Sequence, residues 1–168
     1  MSNSKSVNSA TPIIGGISYV FPESTQSVQR LEDESQLQST PRTLESFGFA
    51  NVHVGIEESP YQLARDAVAK LMTEQAIDPE SVGLVIYGGT PGVMAFSPAG
   101  DAAIGAAGFC TTDRFKYPSA RLQYDLGLSK AWAFGIDQMA CTTLLGATRI
   151  ARSLCMTEGI ERAICVAS

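Results

Sequence analysis

GIDQMACTTLLGATRIARSL, residues 135–154, begins in a short apolar stretch, passes a turn and becomes a helical pattern, with Cys141 at the join. AWAFGID (131–137) before the join reads as a strand, and the helix after it runs to a stop near Gly159. RAICVAS (162–168) then reads as a further strand. Strand, turn, cysteine, helix, strand is the local grammar of an α/β fold.

The same alternation extends toward the N-terminus. GLVIYGGT (83–90) is a continuous apolar run of the kind buried on both faces of a parallel sheet. SPYQLARDAVAKLMTEQAI (59–77) is the clearest helix, with Ser59 as N-cap, Pro60 at the first helical position and Leu63, Ala64, Ala67, Val68, Leu71 and Met72 as its apolar face. SARLQYDLGL (119–128) is another helix. FANVHVGIE (49–57) alternates, with Val52, Val54 and Ile56 on one side, as a half-buried strand does. IIGGISYVF (13–21) reads as a strand ended by Pro22, and residues 23–39 are polar and helix-compatible. The expected architecture is α/β, a mainly parallel sheet flanked by helices, with residues 1–12 as a flexible leader and 13–168 as one domain. A parallel α/β unit rarely stops on an uncovered strand, so the 168 residues read as part of a larger folded unit.

Composition narrows the functions. Hydrophobic residues make up 45% and charged residues 17%, which suits a globular chain with a true core. The net charge is −5 and the twelve Lys and Arg are scattered, so no basic stripe exists for nucleic acid. Apolar runs are strand-sized, too short to span a bilayer, and the polar N-terminus lacks a signal-peptide core. Cys110, Cys141, Cys155 and Cys165 form no CxxC pair, and one histidine makes a metal site improbable. The thiols read as reduced and the protein as cytoplasmic.

Cys141 has two readings. Near the first turn of a helix, unpaired N–H groups and the macrodipole favour a thiolate suited to covalent catalysis. A packed thiol is the other, since free cysteine is among the most buried residue types. The Ala-, Gly-, Leu- and Ile-rich helix behind it has the composition of one buried in the middle of a protein. Cys155 and Cys165 suit a helix face and a buried strand. His53 lies on a strand-like segment and reads as structural. Asp137 and Gln138 precede the cysteine; Asp137 is a structural acid or an orienting one. YGGTPG has glycines without GxGxxG or Walker spacing, a weak nucleotide cradle.

Several stretches, in order, resemble the N-terminal half of the thiolase superfamily, in particular its type III β-ketoacyl-acyl-carrier-protein synthases. IIGGISYVFPES is similar to the opening strand, glycine turn and proline of that family. LARDAVAKLMTEQAIDPESVGLVIYGGT resembles its paired helix and strand, and YPSARLQYDLGL its helix opening on PS. MAC with its long helix and GIERAICVAS resembles the nucleophile segment and following strand.

The resemblance implies an acyltransferase. Cys141 would take an acyl group from a coenzyme A or acyl carrier protein thioester, then be attacked by a carbanion from a malonyl-type thioester. The Cys141 backbone N–H would serve an oxyanion hole. Hydroxymethylglutaryl-CoA synthase-like condensation, or a non-catalytic half-thiolase scaffold subunit, are the alternatives. The family's basic partners, a histidine with an asparagine or a second histidine, come from its C-terminal half, which is absent here. A homodimer or heteromer follows by resemblance, with no bound cofactor and no metal.

Three departures stand out. The family's early glycine after the cysteine is delayed to Gly146, so Thr142 and Thr143 would crowd the acyl site. Its nucleotide-binding arginines are missing from ESFGFANVHVG, which favours a carrier protein or another acyl source over coenzyme A. The 91–115 loop is long; Met94, Phe96 and Phe109 in it would shape the acyl pocket from the partner-facing side, or the loop is a surface insertion. An acidic surface does not favour docking an acidic carrier protein.

Overall fold

The computed structural model describes residues 11–55, 58–89, 117–137 and 139–168. At its centre is a three-stranded parallel sheet in the order β4-β3-β5, built from β3 (Leu84–Gly88), β4 (Trp132–Ile136) and β5 (Ala163–Ala167). Leu84 pairs with Trp132 on one side and Ala163 on the other, and the register runs in step to Gly88, opposite Ile136 and Ala167. Every residue of β3 is buried, as its unbroken apolar run requires.

Alternation along β3 divides the core in two. Val85 and Tyr87 join Ile164 and Val166 of β5 against α3 (Pro60–Glu74) and α4 (Pro118–Asp125), where Tyr61, Ala64, Val68, Met72 and Leu122 pack. Leu84 and Ile86 face the other way, onto Ala147 and Ala151 of α5 (Thr143–Glu158). The sheet is therefore covered by helices on both faces.

Local signals explain where these helices begin and end. The Ser59 side chain accepts from the Gln62 N–H while Gln62 Oε1 accepts from the Ser59 N–H, a complete capping box ahead of Pro60. At the far end of α5, Gly159 adopts the left-handed conformation (φ 69°) that ends helices, and Gly127 does the same after α4 (φ 65°). Tyr61 Oη donates to Asp125 at 2.6 Å and so ties α3 to α4.

A second, antiparallel pair joins β1 (Thr25–Ser27) to β2 (Asn51–His53), with the short helices α1 (Val28–Asp33) and α2 (Pro41–Ser46) between them. The alternating strand expected over 49–57 is present but short. The polar 23–39 stretch splits into β1 and α1 because Ser27 caps α1. The helix α2 was not expected, although Thr40 before Pro41 carries the same cap-and-proline signal as Ser59 and Pro60.

Two expectations need correction. Residues 13–21 form no strand: a ladder needs a partner, and among the described residues none pairs with this run. It lies along α3 as irregular chain, where a Cβ at Gly16 would be 3.1 Å from Leu71 and Gln75, and Ile13, Ile14 and Ile17 stay exposed. Nor is α5 buried all round. Thr143, Ala147 and Ala151 face inward, whereas Leu144, Leu145 and Met156 are exposed, since among the described residues only the sheet covers this helix. Most of the expected leader, 1–10, lies outside the described residues. No helix among the described residues is long and apolar enough to cross a membrane.

Candidate active site around Cys141

Between β4 and α5 the chain makes a 3-10 turn, Ala140–Thr142, that carries Cys141 to the surface. Thr142 holds this turn by donating twice to the Met139 carbonyl, from its backbone N–H at 3.0 Å and from Oγ1 at 2.7 Å. Its hydroxyl therefore does not cap α5. Cys141 enters the long helix from an exposed turn, as the strand-turn-cysteine-helix pattern implied.

The exposed thiol opens on a cleft of about 250 Å³ lined by Gly88, Gly89, Cys141, Thr143, Leu144, Ala167 and Ser168. Gly88 and Ala167 end β3 and β5, so the cleft lies at the carboxyl ends of adjacent parallel strands, the usual place for ligands in open α/β sheets. The ladder runs one step beyond the strands: the Ser168 N–H donates to Gly88 O at 3.1 Å and the Gly89 N–H to Ile136 O at 3.3 Å. Tyr87 Oη and Ser168 Oγ are joined at 2.6 Å.

Glycine is required at the end of β3. A Cβ on Gly88 would collide with the Thr143 methyl, and one on Gly89 would be 3.0 Å from the Tyr87 ring. Thr143 is buried at the first turn of α5, while Thr142 is exposed. Of the two threonines expected to crowd this site, Thr143 lines the cleft. Ser168 and the Gly88-Gly89 pair were not singled out from the sequence. Their signal was the glycine doublet closing an otherwise apolar strand.

The other thiols differ. Burial pushes Cys165 up to about 11, with a further contribution from nearby Cys155, and burial also raises Cys155. Cys165 packs with the Leu84 and Ile86 cluster, which agrees with a core role. His53 belongs to the small antiparallel pair: its Nδ1–H donates to Pro22 O at 2.7 Å and its ring stacks on Phe21 at 4.8 Å. Asp137 is exposed at the end of β4. Gln138, Cys110, Met94, Phe96, Phe109 and the rest of the 91–115 loop lie outside the described residues. Among the described residues no group of His, Cys, Asp and Glu could hold a metal ion.

No family model matches the sequence, and no curated protein matches it at a significant level. Solved structures do match. The chain is similar to 3-oxoacyl-[acyl-carrier-protein] synthase III from Aquifex aeolicus VF5, at 19% identity and TM-score 0.69, covering 91% of this chain and 43% of that one. It is similar to the priming β-ketosynthase from the R1128 polyketide biosynthetic pathway, at 18% and 0.67, covering 91% and 40%. It also resembles the synthase III from Pseudomonas aeruginosa PAO1, at 21% and 0.62, covering 89% and 39%. The chain thus spans about two fifths of the length of these proteins. Together with the parallel sheet and its flanking helices, the likeness gives this chain a thiolase-like α/β fold.

Proposed function

We propose that this chain is the nucleophile-bearing part of a condensing acyltransferase of the β-ketoacyl synthase III type, with Cys141 as acyl acceptor. One observation carries the reading: Cys141 is exposed in a cleft at the ends of β3 and β5, where α5 begins. In the first half-reaction the Cys141 sulfur attacks the thioester carbonyl of acyl-coenzyme A or an acyl carrier protein. A new C–S bond forms, the donor thiol leaves, and it takes up the proton lost by Cys141. In the second, a malonyl-type thioester loses carbon dioxide, the resulting carbanion attacks the acyl-cysteine carbonyl, a C–C bond forms as the acyl C–S bond breaks, and the Cys141 thiolate leaves and takes up a proton. Backbone N–H groups around the turn, including that of Cys141, would steady the oxyanion.

The second half-reaction needs proton-handling groups beyond the cleft residues. The single histidine of the chain, His53, is engaged by Pro22 and Phe21 on the separate β1-β2 pair. The base therefore comes from a further segment or a partner subunit, in a homodimer or a heteromer acting in the cytoplasm. The same observation favours one rival, a non-catalytic scaffold subunit.

The test is incubation with acetyl-coenzyme A and with an acetylated carrier protein, read by intact mass and peptide mapping. An increment of one acetyl group on the Cys141 peptide, lost in Cys141→Ser, supports acyl transfer. No adduct, from the protein in its natural assembly, removes that reading in favour of the scaffold.

A further inference from the structure

We infer that Met139 is a modification site: an oxidant of the hydroperoxide class converts its thioether to the sulfoxide, and the change unseats the turn that presents Cys141. The inference goes beyond the acyl-transfer reading and does not depend on what Cys141 accepts.

Met139 meets the cysteine turn and the helix after it. Its carbonyl accepts from the Thr142 N–H at 3.0 Å and from Thr142 Oγ1 at 2.7 Å. Its thioether fills the space that a side chain on Gly146 would need, and Ile136 Cδ1 is 3.9 Å from the same point. The sulfur seats against α5 because residue 146 is a glycine. The side chain is nevertheless 39% exposed, so an oxidant reaches it from solvent. The other thioethers of the described residues differ. Met72 is shielded in the core, and Met156, although 38% exposed, lies about 20 Å along the helix axis from the start of α5.

The step is a two-electron oxygen transfer. The O–O bond of the peroxide breaks, an S–O bond forms and the sulfur is oxidised. The peroxide leaves as an alcohol or water, its hydroxyl proton passing to the departing oxygen. A thiol-dependent reductase reverses the step, returning the thioether as two thiols become a disulfide and water leaves. The sulfoxide is polar where the thioether was apolar. Water then competes for it, and its contact with Gly146 and Ile136 is lost. The turn loses its side-chain brace, retains the Thr142 bonds and no longer holds Cys141 firmly at the start of α5.

The test isolates the thioether from the thiol. Cys141 is masked as a methyl disulfide, the protein is treated with hydrogen peroxide, and dithiothreitol then frees the thiol without reducing a sulfoxide. Peptide mapping reads the oxygen on Met139 and the iodoacetamide rate at Cys141. Residues in contact couple strongly enough to change a rate about twofold or more. In wild type and in Met156→Leu the Cys141 rate should fall by that factor as Met139 gains oxygen. In Met139→Leu, which keeps the apolar bulk, peroxide should leave the rate unchanged. Methionine sulfoxide reductase should restore the wild-type rate, and this arm decides the question even if Met139→Leu fails to fold. An unchanged or faster rate with Met139 oxidised overturns the inference. So does an equal fall in folded Met139→Leu, or oxygen on Met156 with none on Met139.

Discussion

Met139 lies across Gly146: a Cβ at Gly146 would run into the Met139 thioether, so the residue that opens the cysteine turn rests on the helix that follows it. The Met139 carbonyl also accepts both bonds from Thr142. Backbone and side chain of one residue thus brace the turn carrying Cys141.

A double-mutant cycle measures that contact. Ala in place of a helix-interior Gly normally gains about 1 kcal/mol. In Gly146→Ala the gain should be mostly lost to displacement of Met139, whose flexible end can swing away at modest cost. In a Met139→Ala background the full gain should appear. Urea denaturation of the four proteins gives the coupling, expected at about 0.5–1 kcal/mol; additive effects would rule the contact out.

Gly88→Ala should behave differently, because its obstacle is a stiff, buried threonine rather than a flexible methionine. Overpacking should cost about 1–3 kcal/mol. At about 2–4 °C per kcal/mol for a chain of this size, thermal melts should resolve it. Adding Thr143→Gly should recover much of the loss, and failure to do so would separate the two residues.

Ser59→Ala removes a buried cap that is 1% exposed and half of a capping box. The expected loss is about 1 kcal/mol, within the 0.5–2 kcal/mol span of N-cap truncations. Ser59→Asp should retain most of the stability. Equal melts for the two variants would show that the cap hydrogen bond is unimportant.

Tyr61 and Asp125 give stability a defined pH window. Burial raises the Asp125 carboxyl, but the Arg121 guanidinium and the Tyr61 hydroxyl outweigh it, and the group ends below its ordinary 3.8. Burial, then the Asp125 contact, pushes the Tyr61 hydroxyl above its ordinary 10.0. The depressed carboxyl contributes stability above pH 3.8 that is lost as pH falls through its lower folded value. The raised phenol contributes stability below pH 10 that is lost as pH climbs toward its higher folded value. Tyr61→Phe should cost about 1.5–3 kcal/mol, a hydrogen bond to a charged group, between about pH 4 and 10. The gap from wild type should narrow outside that window, in urea denaturation at pH 3, 7 and 11. A constant gap would sink the assignment.

Thiol labelling should discriminate among the described cysteines. At pH 8, Cys141 should react with iodoacetamide well ahead of Cys155 and Cys165, whose thiols burial holds protonated. Timed quenching and peptide mapping give the order; Cys165 reacting first would contradict the packing.

Much of the fold could be read before any coordinates. GLVIYGGT, the Ser59-Pro60 cap and the Gly159 stop are local signals whose physics does not depend on distant partners, and each element formed where its pattern placed it. Residues 13–21 misled because an apolar run only becomes a strand when another strand accepts its hydrogen bonds, and sequence does not say whether one is present. Cys141 was legible from the turn-to-helix pattern. Its cleft neighbours Gly88, Gly89 and Ser168 were not, because parallel strand ends distant in the chain meet only through the register of the sheet.

That distance sets an order of events. Ser168, which lines the cleft, is hydrogen-bonded to Tyr87, 81 positions earlier, so this side of the cleft cannot exist until β5 has docked beside β3. Parallel pairings that bridge such separations form late and slowly. On a ribosome adding about 5–20 residues per second, Cys141 would emerge seconds before its surroundings could assemble. During that interval the thiol is exposed in an open chain with no wall to select what reaches it. The cleft beside Cys141 is therefore completed only when β5 docks beside β3.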